Sequence, residues 1–433
     1  MLKVDLGVLP LVELNRLFAP IEKEAAIAIA VSGGKDSLAL LLLVYAWQIQ
    51  VFSEQEVHVY TLDHGLRAEG EKETQFVKSV AGELGIRTTI LRWDGDKPEN
   101  GIQAGARAAR YRLIGEAMKK DGVGVLLTGH HRKDQAETVL MRLAHSSGLK
   151  GLGGMRPLSQ LQEVMVFRPL LDMEPEFLEQ VVKKSGLTPI DDPSNSNEDF
   201  ERVRWRRQLP ALFELGLSDT VLARFALRAQ RADQALDLFA RSQFDQLVSQ
   251  NMFGGFQVEL AALNEQPEEI AIRIIGEMVR RIAKTSGKLS QLEDLQKQLG
   301  SAHFAGKTLN GSVFVKQKGL LLGFRELVRI DKGAQKLAPG SKMIWDQRFE
   351  IDNSGTTELS VEGGGEMTRP EVEEFVGSQV KEPMSCIKGA PVVRDIDQKI
   401  VALGTLSRSS AVVVSNLQGY GQDNSADQLT LKC

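Results

Sequence analysis

Five stretches of the chain carry residues whose types and spacing could do chemistry. Ser32-Gly33-Gly34-Lys35-Asp36-Ser37 lies between an apolar run, Ala26 to Val31, and an apolar helical stretch, Leu38 to Trp47. Glycines at such a junction let the backbone approach an anion, and the helix start adds unpaired N–H groups and the positive end of its dipole. The two serines add hydroxyl donors. The loop is not the G-x-x-x-x-G-K-[ST] phosphate loop, since no second Gly precedes a Lys-Ser pair; the bland alternative is a tight turn with a serine cap. Asp63 and His64 follow a second run, Val57 to Leu62, where a lone Asp also serves as a turn former. Arg107 and Arg110 are three apart and so share a helix face. His130 and His131 end a further run, and Asp134 and Glu137 follow one helical turn apart. A His-His pair beside an acid suits a metal, but no spaced third ligand accompanies it. Finally, Arg202, Arg204, Arg206 and Arg207 crowd into FERVRWRRQLP, Phe200 to Pro210. Such density suits an RNA-facing surface, or a domain junction braced by ion pairs.

The elements that must position these residues are legible over the first ~210 residues, where strand, loop and helix alternate. Ala26 to Val31, Val57 to Leu62, Ile86 to Trp93 and Val123 to Thr128 read as parallel strands buried on both faces. Helices follow near Leu38 to Trp47, Glu69 to Leu84, Gln103 to Lys119 and Lys133 to His145. Four such repeats predict a doubly wound α/β sheet whose ligands lie outside the carboxyl ends of the strands, where the loops named above fall. Beyond it, Leu217 to Leu247 and Ala261 to Gln298 read as helical, Thr308 to Phe324 as a hairpin, and Lys332 to Ser341 as a linker. The expected domains are therefore 1–215, α/β and catalytic; 216–330, basic and mainly helical; and 340–433, a small β-rich or α+β domain.

Composition sets the outer limits. The chain has 433 residues, 42% apolar and 25% charged, with a formal net charge of −4, so wholesale disorder is excluded. Two cysteines exclude a disulfide-stapled scaffold and a Cys-rich zinc cluster. No apolar run reaches the ~18 residues a membrane helix needs, and no secretory signal is visible, which predicts a soluble cytoplasmic protein without a membrane partner. The charge is segregated: Arg273 to Lys336 holds thirteen bases against five acids, and Glu350 to Glu374 eight acids against one base. Clustered Lys and Arg suit a polyanion, because binding releases its counterions.

SGGKDS resembles the pyrophosphate-binding loop of the N-type ATP pyrophosphatases, which cleave ATP to AMP and pyrophosphate. Further landmarks narrow the resemblance: LDHGLR (Leu62 to Arg67), ARAARY (Ala106 to Tyr111), TGHHRKDQAET (Thr128 to Thr138), SSGLKGLGGM (Ser146 to Met155), RPLL (Arg168 to Leu171), DDPSN (Asp191 to Asn195) and PGSKMIWDQRFEI (Pro339 to Ile351). In this order they are similar to the tRNA(Ile)-lysidine synthetase family. The resemblance implies ATP as co-substrate, Mg²⁺, L-lysine, a tRNA(Ile) with a CAU anticodon, and a monomer or homodimer. It also implies a two-step reaction: ATP adenylates the oxygen on carbon 2 of the wobble cytidine, then lysine's amine attacks that carbon and expels AMP. On this reading Ser32 to Ser37 hold pyrophosphate, Asp36 is the carboxylate for Mg²⁺, and Asp63 and His64 lie on the nucleotide side. Arg107 faces the phosphates or the adenylated base. Asp134 and Glu137 could hold the lysine ammonium; Asp134, Glu137 and His130 are all candidates to accept its proton, which leaves an amine of pKa near ~10.4. The four arginines from Arg202 to Arg207 are expected to face tRNA.

The chain departs from the family pattern at Lys133, usually acidic, at His145-Ser146, where Arg-Gly is common, and at Val203, usually Asn. Thiolating relatives need catalytic cysteines, and Cys386 and Cys433 lie far outside the α/β region. Amidating relatives have no use for the basic segment. A tRNA-binding module with a degraded active site is the alternative from another class, against which the intact SGGKDS loop, Asp134 and Glu137 stand.

Overall fold

The structure, a computed structural model, describes residues 9–417 apart from 52–53, 66–68, 96, 98–100, 194–196, 302, 332 and the side chain of Gln103. Leu66 and Arg67 of the second landmark, Asn195, Lys332 and Cys433 therefore lie outside the described residues. The chain divides into two compact units, one running through Asp233 and the other beginning at Gln234.

The first unit opens with α1 (Leu11–Phe18), β1 (Ala26–Ala30), α2 (Lys35–Val51), β2 (Glu56–Asp63), α3 (Gly70–Glu83), β3 (Arg87–Arg92) and α4 (Ile102–Asp121). It continues through β4 (Val125–Leu127), α5 (Arg132–Ala144), α6 (Leu149–Leu152), β5 (Leu158–Leu161), β6 (Val164–Phe167), α7 (Pro175–Ser185), α8 (Glu201–Glu214) and, as far as Asp233, α9 (Asp219–Leu247). The strand order is β3-β2-β1-β4-β6-β5, parallel except for the edge pair β5 and β6. Alternation along each strand fills both faces, which is why these strands read as continuous apolar runs. Ile27, Ile29, Val59, Val125 and Leu127 join a core with α1, α2, α3 and α7. Ala28, Tyr60, Leu126, Val164 and Val166 face Tyr111, Ile114 and Met118 of α4. Helix α2 is buried from Leu38 to Val44, which explains a run with no polar stripe. A third, smaller cluster joins α5 to α8 and α9 through Ala136, Val139, Leu140, Leu209, Leu222 and Ala226. The order reverses between β1 and β4, and ligands of open α/β sheets bind at such a switch point.

The second unit holds the expected middle segment from Gln234 onward, its residues 216–233 falling in the first unit, together with the described C-terminal residues. Its helices α10 (Leu260–Asn264), α11 (Glu268–Ala283) and α12 (Leu289–Leu299) accompany a five-stranded antiparallel sheet that the periodicity showed only as the Thr308 to Phe324 hairpin. Gln335–Leu337, inside the expected linker, is a strand paired with Leu359 to Val361. The linker reading fails because backbone pairing, invisible in a Pro-Gly pattern, decides whether a short polar stretch is ordered. The C-terminal part is built on two antiparallel sheets, as its short apolar runs suggested, with short helices at Arg369–Val376 and Met384–Ile387. The basic segment is partly neutralised: Arg273 pairs with Asp237 and Glu269, Arg280 and Arg281 with Glu277, Lys307 with Asp294, Arg325 with Asp346, and Lys336 with Glu358. Among the described residues no helix is long and apolar enough to cross a membrane.

Candidate active site

The loop after β1 is tied by its own polar groups. Ser37 Oγ donates to the Gly34 carbonyl at 2.9 Å and accepts the Ser32 N–H at 3.2 Å. Gly33 takes φ +86°, a region only glycine enters without strain, and its carbonyl accepts the Ile190 N–H at 2.9 Å. At Gly34 the nearest atom to an added Cβ is Ser32 Oγ at 3.6 Å, so nothing among the described residues excludes a side chain there. Lys35 Nζ donates to Asp36 Oδ1 at 3.1 Å.

The loop after β4 closes onto this one. A Cβ on Gly129 would stand 2.7 Å from the Asp36 carbonyl oxygen and 3.1 Å from the Ser37 nitrogen, so only glycine permits the approach. His131, at the start of α5, places Nε2 3.6 Å from Asp36 Oδ2 and 3.5 Å from Asp134 Oδ2. Asp134 also accepts the His131 backbone N–H at 3.1 Å, fixing the first turn of α5. Burial opposes charge on both His131 and Asp36 and is the largest single influence, but the neighbouring charges together outweigh it: Asp36 and Asp134 raise the imidazole's pKa, and His131 with Lys35 lowers the carboxyl's. His131, absent from the sequence candidates, is therefore the histidine that joins two of them. The signal for it was present, since Asp134 stands at i+3.

His130 behaves oppositely. Its Nδ1 meets Thr128 Oγ1 at 2.9 Å, and burial, with Arg168, Arg202 and Arg107 adding against the pull of Asp134, pushes its pKa down to about 3. It stays neutral and is a weak proton acceptor. The two histidines should mark stability with opposite signs. For His130 the folded value lies below the ordinary 6.5, so its contribution is complete above pH 6.5 and is lost as pH falls toward 3. For His131 the contribution is complete below 6.5 and is lost as pH rises through the raised folded value. We expect His130→Gln to flatten the loss of urea-unfolding stability as pH falls from about 6.5 to about 4.5. His131→Gln should destabilise more at pH 6 than at pH 9. Parallel pH profiles for the two variants would contradict the assignment.

Glu137 is fully buried and both of its oxygens are engaged. Arg206 Nε donates to Oε1 at 2.7 Å and Nη2 to Oε2 at 3.2 Å, while Arg202 Nε lies 3.3 Å from Oε2. Arg202 also donates to Thr138 Oγ1 at 3.1 Å, and Arg206 Nη2 comes within 3.8 Å of Asp134 Oδ1. Two of the four arginines thus turn inward to α5. Arg204 donates to the Glu198 and Asp199 carbonyls, and Arg207 pairs with Glu198 on the exposed side.

After β2, Asp63 Oδ1 accepts the Gly65 N–H at 2.7 Å, an Asx-type turn that shapes the loop. Arg110 donates to His64 Nε2 at 3.1 Å, and burial with that guanidinium pushes the His64 pKa down to about 4. His64 is thereby held as the neutral Nδ1–H tautomer, because arginine can only donate. Arg107 lies over the Tyr111 ring, 5.2 Å from its centroid.

The glycine-rich stretch after α5 is clamped rather than loose. Gln135 donates to the Met155 carbonyl at 2.8 Å and accepts its N–H at 2.7 Å, and Gln230 donates to the Gly153 carbonyl at 2.5 Å. The two departures at its start are accommodated differently. His145 pairs with Glu201 at 2.9 Å. Ser146 takes φ +50° as the residue after the α5 cap, its N–H bonding Leu143 while that of Ser147 bonds Arg142. A left-handed Ser costs roughly 1 kcal/mol, so Ser146→Gly should raise stability by about that amount in urea unfolding.

Comparison with known proteins follows from this geometry. A family model of the PP-loop domain matches residues 11–212. The tRNA(Ile)-lysidine synthase of Bradyrhizobium sp. strain BTAi1 is 35% identical over 341 residues, 76% of this chain and 93% of that relative. That of Rhodopseudomonas palustris is 45% identical over 226 residues, 52% of this chain and 65% of the relative. That of Wolbachia pipientis wMel is 34% identical over 358 residues, 81% of this chain and 83% of the relative.

Proposed function

The chain belongs to the tRNA(Ile)-lysidine synthase family, and on that premise we infer which of its residues serve each half of the reaction. The enzyme ligates free L-lysine to carbon 2 of the wobble cytidine of a CAU-anticodon tRNA(Ile), consuming ATP. The cytidine oxygen attacks the α-phosphorus and pyrophosphate leaves with the bridging oxygen; lysine's amine then attacks carbon 2, and AMP departs with the former base oxygen.

The observation that carries the assignment is the meeting of two loops at the β1/β4 switch point, with His131 between Asp36 and Asp134. Ser32, Gly33, Gly34, Lys35 and Ser37 hold the departing pyrophosphate, for which the open face of Gly34 leaves room. Asp63 and His64 shape the nucleotide side, and Arg107 faces the α-phosphate. Asp134, beside the same imidazole nitrogen as Asp36, holds the lysine ammonium and is better placed to take its proton than His130, whose pKa is pushed down to about 3. Glu137 supports Arg202 and Arg206 and is not free for lysine. Arg204 and Arg207 remain for tRNA.

The donors suit Mg²⁺ carried in with ATP. Mg²⁺ binds through one or two carboxylates together with substrate phosphates; Asp36 supplies one, and no cluster of three metal-ligating side chains occurs among the described residues. Such an ion would neutralise charge on the departing pyrophosphate.

The test is incubation with ATP, Mg²⁺, labelled lysine and the CAU-anticodon transcript. Label in RNA that requires ATP and the wobble cytidine supports the reading. Bound tRNA without label would favour the degraded-site alternative and make Lys133→Asp the next variant. Since about half of the bases of the 273–336 segment are ion-paired, tRNA affinity should fall with salt at a slope of only a few phosphate contacts, roughly −3 to −5 in log–log units. ATP affinity should change less, and equal salt sensitivity would remove tRNA from this surface.

A further inference from the structure

Arg168 follows β6 and has 3% of its surface exposed. Its Nη1 donates to the Arg156 carbonyl at 2.9 Å and to Ser159 Oγ at 2.8 Å, while its Nε is buried without an acceptor. Both acceptors are neutral. Beyond burial itself, the groups acting on its charge are Tyr111 and Arg107, with no carboxylate among them. A guanidinium taken from water without an anion costs several kcal/mol. Tying β5 to β6 does not require that charge, since a neutral amide donates equally well.

The surroundings point to an anion instead. The Thr128 N–H bonds the Phe167 carbonyl at 3.0 Å, so Arg168 emerges beside the loop that carries His130 and His131. Tyr111 is the side chain that favours the Arg168 charge, and the Tyr111 ring lies under Arg107. Both guanidiniums therefore act on one phenol at the carboxyl edge of the sheet, and among the described residues Arg168 has no ion-pair partner.

We propose that Arg168 is a positioning residue for adenylyl transfer: through Tyr111 it orients Arg107 toward the α-phosphate and adds a buried positive charge behind it. The charge that accumulates on the α-phosphoryl oxygens, as the bond to the cytidine oxygen forms and that to pyrophosphate breaks, then completes a site built without its anion. This rests on the lysidine-forming reaction proposed above.

The experiment measures single-turnover pyrophosphate release from ATP and the tRNA transcript with lysine omitted. Arg168→Met should slow release about 100-fold with the KM for ATP within about threefold of wild type. Arg168→Lys, which keeps the charge, should stay within about tenfold of wild type, and Tyr111→Phe should lose about tenfold. Wild-type release by Arg168→Met, or Arg168→Lys as slow as Arg168→Met, would overturn the proposal. If Arg168→Met loses its cooperative thermal transition, Tyr111→Phe decides, and a wild-type rate there overturns it. Failure of the wild-type protein to release pyrophosphate would instead refute the underlying reaction.

Discussion

Glu137→Gln is expected to lower stability by roughly 3 kcal/mol and to abolish lysidine formation, although the side chain need touch neither substrate. Removing one partner of a buried ion pair typically costs ~3–5 kcal/mol, because the remaining charge is left uncompensated. Arg202 and Arg206 are 38% and 37% exposed, so they can turn partly toward water, which places the cost at the lower end. The turn itself is what removes activity. Arg206 also borders Asp134, and a released guanidinium would compete with the lysine ammonium for that carboxylate. Urea unfolding and lysine incorporation measure the two effects separately. A double variant, Glu137→Gln with Arg206→Met, should recover part of the stability, because both members of the pair are then neutral. Full activity in Glu137→Gln would show that the pair is dispensable.

Gly129→Ala should be the most damaging single methyl in the catalytic unit. Its Cβ would stand 2.7 Å from the Asp36 carbonyl oxygen and 2.9 Å from the carbonyl carbon, and backbone cannot rotate aside as a side chain can. The loops must separate, at a cost of about 1–3 kcal/mol for overpacking, and a displacement approaching 1 Å costs about 100-fold in rate. Gly34→Ala is the informative contrast. Among the described residues the nearest atom its Cβ would meet is 3.6 Å away, so thermal stability should hold. If phosphates rest against that face, ATP affinity should nevertheless fall by tenfold or more, an estimate from the 1.4 kcal/mol per decade that one lost close contact reaches. Equal ATP affinity in Gly34→Ala would move the pyrophosphate away from this loop.

Much of the frame was legible in the residues. Apolar runs such as Ala26 to Val31 announce strands buried on both faces, and the polar residues that interrupt them fall where the chain turns from strand to helix. The edge strand Leu158–Leu161 and its neighbour Val164–Phe167 were missed because β5 is only partly buried and both are short, so no long periodic signal forms. The strand Gln335–Leu337 was missed for the same reason.

The sequence by itself determined the element types, the loops at strand ends and the family, because side-chain periodicity and short motifs are local properties. Tertiary structure decided which of those loops meet. Only the order β3-β2-β1-β4-β6-β5 makes the ends of β1 and β4 neighbours, and it is this adjacency that selects His131 over His130 as the link between Asp36 and Asp134. Glu137 reads as a site carboxylate in sequence, yet it belongs to arginines of α8, 69 residues away in the case of Arg206. Ion pairing across elements depends on distances that helix packing sets, and a charge's role follows from its partner rather than from its position along the chain.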